Sequence, residues 1–135
     1  MRWCRPVRWA LEPDCIRALY CGTSVAICAL EKFVHIGAAP FPRLVLVSVD
    51  IPDSRVLYAP PIAVLPVGWD TMPTSAAAQK FGAAWLAAGN NLAMAVPSAI
   101  VPEETNVMLN PRHPDYAQVE LAVVRPFQFD HRMFK

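Results

Sequence analysis

Residues 18–36, ALYCGTSVAICALEKFVHI, decide the fold. The alternating apolar stretch RALYC at 17–21 reads as a strand. Gly22 breaks it, Thr23 and Ser24 stand ready as helix N-caps, and residues 24–36 run without proline until Gly37 and Pro40 stop them. Strand, sharp turn and helix therefore follow one another with no linker. Elsewhere such runs are rare, because the chain carries fourteen prolines spread from Pro6 to Pro126. Each removes a backbone donor and pushes its predecessor towards extended structure.

A second helix is expected over SAAAQKFGAAWLAAG at 75–89, opening at Thr74 or Ser75 and closing near Gly89, with alanine supplying propensity. Working outward, strands are expected at 43–51 (RLVLVSVDI), 91–101 (NLAMAVPSAIV), 105–110 (TNVMLN) and 117–129 (AQVELAVVRPFQF). The predicted class is α+β: a single compact domain over 1–135 with mixed or antiparallel sheets and a few helices. At 135 residues, 55% hydrophobic and 17% charged, the chain has enough apolar material for one core and is not a disordered segment.

Composition also excludes partners. A net charge of +1, with both signs scattered along the chain, gives no basic field for nucleic acid or a membrane surface. The start, MRWCRPVRWALEPDC, lacks the continuous apolar stretch of a signal peptide or membrane span, so a cytoplasmic location is expected. Cys4, Cys15, Cys21 and Cys28 all fall in the first quarter without a CxxC pair or clustered histidines, which reads as buried reduced thiols and no metal site. Neither a GxGxxG nor a Walker sequence occurs, so a nucleotide would have to be held without a glycine-rich phosphate loop.

Three places look chemically out of register. Glu31 has Ile27, Cys28, Val34 and His35 as its neighbours at three and four positions, so a carboxylate projects from a mostly apolar helix face. It either pairs at the edge of the stripe with an arginine or His35, or points into a cleft. Ser98, between Pro97 and Pro102 in a strongly apolar strand, is either a structural hydroxyl bonded to nearby backbone or a side chain facing a cavity. The corner NVMLNPRHPDY at 106–116 gathers Asn106, Asn110, Arg112 and His113 around two prolines, a turn first and a ligand contact second.

Taken together these segments resemble the RES domain, a family named for an arginine, a glutamate and a serine. ALYCGTSVAICALEKFVHI is similar to its tyrosine strand and glutamate helix, with Tyr20, Glu31 and His35 at the familiar spacing. VPSAIVPEETNVMLNPRHPDY is similar to its serine segment, Gly82 and Trp85 to the helix before it, and VRPFQFDHRMF to its close. The resemblance covers about residues 17–135. It implies a fold similar to bacterial ADP-ribosyltransferases and the toxin of a toxin–antitoxin pair. Such a toxin degrades NAD by cleaving the nicotinamide–ribose bond, by phosphorolysis or hydrolysis, or passes ADP-ribose to a protein. The expected partners are NAD and an antitoxin carrying a helix-turn-helix domain, with no direct nucleic acid and no membrane; an oligomer of like subunits is compatible. No cofactor is implied, NAD being the substrate and phosphate a candidate co-substrate.

On the residues that match, the resemblance assigns Glu31 to the charge that develops on the ribose, Ser98 to positioning that ribose, Tyr20 and Asn106 to substrate contact, and an arginine to the pyrophosphate. That arginine is Arg8, followed by Trp9, with Arg2 before Trp3 as the more distant candidate. Neither follows the family's usual glycines, and the chain reads as short at its N-terminus, without an opening strand. An active NAD-consuming enzyme and an inactive remnant that binds an antitoxin or another subunit are thus both expected classes. An unrelated cytoplasmic α+β domain is the third.

Overall fold

The computed structural model describes residues 2–9, 16–36, 43–53, 57–72 and 75–134, with residues 2–9 and 16 as backbone alone. Six strands form one antiparallel sheet: β1 (Arg2–Trp9), β2 (Ile16–Gly22), β3 (Leu44–Asp50), β4 (Ala93–Pro97), β5 (Thr105–Leu109) and β6 (Glu120–Phe127), in the spatial order β4-β5-β2-β1-β3-β6. Among the described residues two α-helices, α1 (Val25–Ile36) and α2 (Ala76–Ala88), accompany it. The α+β class with antiparallel pairing is as expected. The stretch at 2–9, for which no element was expected, is a strand between β2 and β3. Its register runs Trp3 to Gly22 and Trp9 to Ile16, which places it in the sheet's interior.

Both helices begin where their caps dictate. The Ser24 hydroxyl accepts from the Ile27 amide at 3.2 Å and so satisfies a first-turn donor of α1. Thr23 does something else, sending its amide and its hydroxyl to the Thr105 carbonyl, both at 3.1 Å, which ties the β2–α1 turn to the start of β5. Ser75 caps α2 by accepting from Ala78, and Gly89 closes it in the left-handed region at φ 65°.

Alternation along paired strands sorts the core. Tyr20 lies opposite Met108 and Gly22 opposite Asn106, so these four share one face. On that face Trp85 and Leu86 of α2 pack with Ala18, Met94 and Met108. The other face buries Cys21, Val49, Ala93, Val107 and Leu109 under Ile51, Leu57, Tyr116 and Val119. Asn110, 1% exposed, pins the end of α2 to the loop after β5, its side-chain amide donating to the Leu86 carbonyl and its oxygen accepting from the Arg112 amide. That assigns Asn110 to structure.

The expectation of reduced thiols needs correction at Cys21 and its disulfide partner. Cys28 is outside any disulfide and its sulfur accepts from the Gly22 amide at 3.1 Å, but Cys21 is disulfide-bonded. In the backbone register Cys4 stands opposite Cys21, a proximity that sequence spacing does not reveal.

At the far edge, β6 is exposed over most of its length. A register shift between Leu46 and Val47 of β3 and the presence of Pro126 blunt it as a template for another strand. Beyond it the chain turns back on α1, where Phe33 packs against Phe129 and Phe134 at centroid distances of 5.8 and 5.3 Å. Asp130 and Arg132 form a two-point ion pair there at 2.9 and 2.7 Å, and the guanidinium holds the Asp130 carboxyl below its ordinary range.

Gly22 sets how closely α1 approaches the sheet. A Cβ there would stand 2.5 Å from Ile27 Cγ2 and 2.8 Å from Cys28 Sγ. Gly22→Ala should therefore push α1 outward and destabilise the protein by about 1–3 kcal/mol, the usual cost of overpacking. The measurement is the urea midpoint of unfolding, and an unchanged midpoint would show that the turn has slack.

Candidate functional site

The strand–turn–helix unit throws Glu31 back across the start of β5, because β2 gives way to the turn into α1 at Gly22, the ladder neighbour of Asn106. Glu31 Oε1 accepts two hydrogen bonds, from Asn106 Nδ2 at 2.7 Å and from Ser98 Oγ at 2.9 Å. His35 does not reach the carboxylate; its Nδ1 meets the Glu31 backbone carbonyl at 2.7 Å. Glu31 is thus not paired with His35, and it lines a cavity.

Asn106 and Ser98 are both 0% exposed. Ser98 is satisfied on every side. Besides donating to Glu31, its oxygen accepts from the Ile100 and Val101 amides at 3.1 and 3.2 Å, so the loop after β4 grips the serine that grips the carboxylate. The backbone-bonded reading of Ser98 is the one observed; the serine does not line the cavity and meets it only through its hydrogen bond to Glu31. Asn106 is different. Its Oδ1 is buried without a partner while its Nδ2 is committed to Glu31. Burying such an acceptor unpaired costs about 1–3 kcal/mol, and an orphan of this kind beside a cavity calls for a donor.

That cavity, about 290 Å³, is lined on the sheet side by Tyr20, Gly22 and Asn106, on the helix side by Cys28, Glu31 and Lys32, and beyond β1 by Arg43, Val47 and Phe127. Its size sits at the lower end of small-molecule sites. Among the described residues none donates to Glu31 Oε2, and Asn106 Oδ1 is an acceptor that lacks a donor. A polyhydroxyl ligand fits both needs.

Four of the five residues expected at the site are therefore described, and the structure brings Glu31, Ser98 and Asn106 into one network with Tyr20 on the same cavity wall. The side chain of the fifth, Arg8, lies outside the described residues. Its backbone stands opposite Arg17, that of Arg2 opposite Val49, and the residue opposite Tyr20 is Arg5. Sequence reading missed Gly22, Lys32, Arg43 and Phe127. Only Phe127 carried a signal, as one of the aromatic residues near the end of the chain. Among the described residues no group of three histidine, cysteine, aspartate or glutamate side chains could hold a metal ion, and no helix is long and apolar enough to cross a membrane.

Comparison with known proteins bears on the same residues. The RES domain matches residues 2–130. This chain belongs to the RES family. It is 36% identical over 124 residues to a "Prs ADP-ribosylating toxin" of Sphingobium sp. strain YBL2, covering 89% of this chain and 76% of that protein. It is 35% identical over 119 residues to a "Toxin Res" of Yersinia enterocolitica, covering 86% and 77%, and 35% identical over 120 residues to one of Photorhabdus laumondii, covering 87% and 76%. The family match takes in β1 as well as the segments from residue 17 onward that resemble the family in sequence.

The hydrogen-bond network makes a thermodynamic prediction. Ser98→Ala removes a donor to Glu31 and the acceptor of two amides at a fully buried position, and should cost about 1–3 kcal/mol. Combined with Glu31→Ala, which removes the acceptor, in a double-mutant cycle, the two changes should couple by about 0.5–3 kcal/mol. Strict additivity of the unfolding free energies would mean that the 2.9 Å contact contributes nothing.

Proposed function

We propose that this protein is a toxin that cleaves the bond between nicotinamide and ribose in NAD and hands ADP-ribose to phosphate or water. The observation that carries this reading is the Glu31 carboxylate, fixed through one oxygen by Ser98 and Asn106, with no donor to the other among the described residues. Membership of the RES family, and relatives named as toxins, support it.

The chemistry asks for that arrangement. As the glycosidic C–N bond breaks, its electron pair goes to the ring nitrogen and neutralises the cationic nicotinamide, while positive charge spreads over the ribose C1′ and ring oxygen. A carboxylate already held in place stabilises that charge without reorganising. Glu31 Oε2 would accept a hydroxyl of the nicotinamide ribose, and Asn106 Oδ1 would take a second donor of the same substrate. Tyr20, on the same wall, would contact the nicotinamide. A phosphate or water oxygen then bonds to C1′ and, in the case of water, releases a proton. Ser98 is a positioning residue in this scheme, acting through Glu31. A toxin of this kind requires neutralisation, and an antitoxin with a helix-turn-helix domain is the proposed partner.

The name of the Sphingobium relative, an ADP-ribosylating toxin, favours a second reading in which a protein side chain is the acceptor. The bond broken and the role of Glu31 are the same in both.

The test is the NAD concentration over time with purified protein, with and without phosphate, for the wild type and Glu31→Gln. Glutamine keeps an oxygen for both hydrogen bonds and removes the charge, so turnover should fall by at least about a hundredfold while the protein stays folded. A phosphate requirement would identify the acceptor, and label transferred from NAD to added protein would favour the second reading. A folded wild type that leaves NAD intact under every condition overturns the proposal and leaves antitoxin or subunit binding as the remaining role.

A further inference from the structure

The cavity extends well beyond what the reacting ribose needs. Asn106 is on β5 and Phe127 on β6, with β2, β1 and β3 between them, so the two are four strand spacings apart, about 19 Å across the sheet. Its two ends differ in chemistry. At one are Glu31, Asn106 and Tyr20. At the other, Arg43 precedes Leu44, whose ladder partner is Phe127, so a cation and an aromatic ring are brought to the same rim by the β3–β6 pairing.

Neither residue is used up by the fold. Arg43 is exposed, and no described side chain bonds its guanidinium; with Lys32 it is one of two cations lining the cavity among the described residues. Phe127 is half-buried, meeting Phe129 edge-on at 5.2 Å, with the Arg125 guanidinium 5.7 Å from its ring centroid. A planar base stacks on such a ring whatever its sequence of polar groups, and a free guanidinium at the same rim takes phosphate oxygens by charge-assisted hydrogen bonds.

We propose that Arg43 and Phe127 bind the adenylate half of the substrate, Arg43 at its phosphate and Phe127 at the adenine, and thereby set the nicotinamide ribose against Glu31. This rests on the NAD-cleaving reading above, and it assigns specificity for a dinucleotide to residues remote from the bond that breaks.

The experiment compares NAD with nicotinamide mononucleotide, which has the same scissile bond but lacks the adenylate half, on wild type, Arg43→Ala, Phe127→Ala and the packing-preserving Phe127→Leu. Each variant should raise KM for NAD roughly tenfold with little change in kcat, and leave turnover of the mononucleotide as in the wild type. Phe127→Tyr should restore the NAD value. Variants that are folded by circular dichroism and have a wild-type KM for NAD overturn the assignment, as does an equal loss on both substrates. Binding of ADP-ribose to the same proteins, by calorimetry, separates this inference from the reaction. If no protein consumes NAD yet the wild type binds ADP-ribose and the variants bind it at least about tenfold more weakly, the subsite stands and the catalytic reading falls. Equal binding by all, or by none, removes the subsite as well.

Discussion

A carboxylate can be held at the floor of a largely apolar cleft only if donors meet it there, and here both donors converge on the same oxygen of Glu31. Much of the architecture serves that convergence. Gly22 lets α1 close on the sheet, Thr23 ties the turn to Thr105, and the ladder between β2 and β5 places Asn106 beneath the helix. The loop after β4 delivers Ser98, already bonded to two amides of its own turn, so the hydroxyl has little freedom left when it donates to the carboxylate. Charge-assisted bonds of this kind are stronger than neutral ones, and they lose no orientational entropy when their partners are already fixed.

The unpaired Asn106 oxygen is the counterpart of this rigidity. Stability alone would favour a paired or apolar side chain at so buried a position. An acceptor kept without a donor, beside the second oxygen of Glu31, makes sense as a place held for hydroxyl or amide groups of a ligand. The same logic separates the asparagine within β5 from the one that follows it. Asn110 has both ends of its amide satisfied by backbone and belongs to the fold, whereas Asn106 is half satisfied and belongs to the cleft.

Both sheet faces are covered, but by different means, and this determines where a cleft can form. Ile51, Leu57, Tyr116 and Val119 pack tightly over one face. On the other, α2 fills its half with Trp85 and Leu86, while α1 stands over the rest on a glycine and a carboxylate network, and the gap beneath it is the cavity. The aromatic residues at the end of the chain pack on the far end of α1 through Phe33, so the cavity is bounded there by Phe127 and its neighbours.

Local signals were enough to read much of this from the sequence. Caps at Ser24 and Ser75, the stop at Gly89 and the alternation in five strands gave the helices and most of the sheet, because each depends on residues within a turn or two of one another. Glu31 and Ser98 stood out for the same local reason, a polar group amid apolar neighbours. What lay outside that reach depended on strand pairing. The strand at 2–9 has no alternation strong enough to declare itself, and it is a strand because β2 and β3 flank it. The disulfide at Cys21, the structural duty of Asn110 and the presence of Arg43 and Phe127 at one rim all follow from ladders that join residues distant in the chain. The sequence by itself determined which segments would be helix or strand and which side chains were too polar for their surroundings. Only the tertiary structure decided that Glu31, Ser98 and Asn106, up to 75 positions apart, would share one oxygen, since that contact is produced by the order and register of the strands.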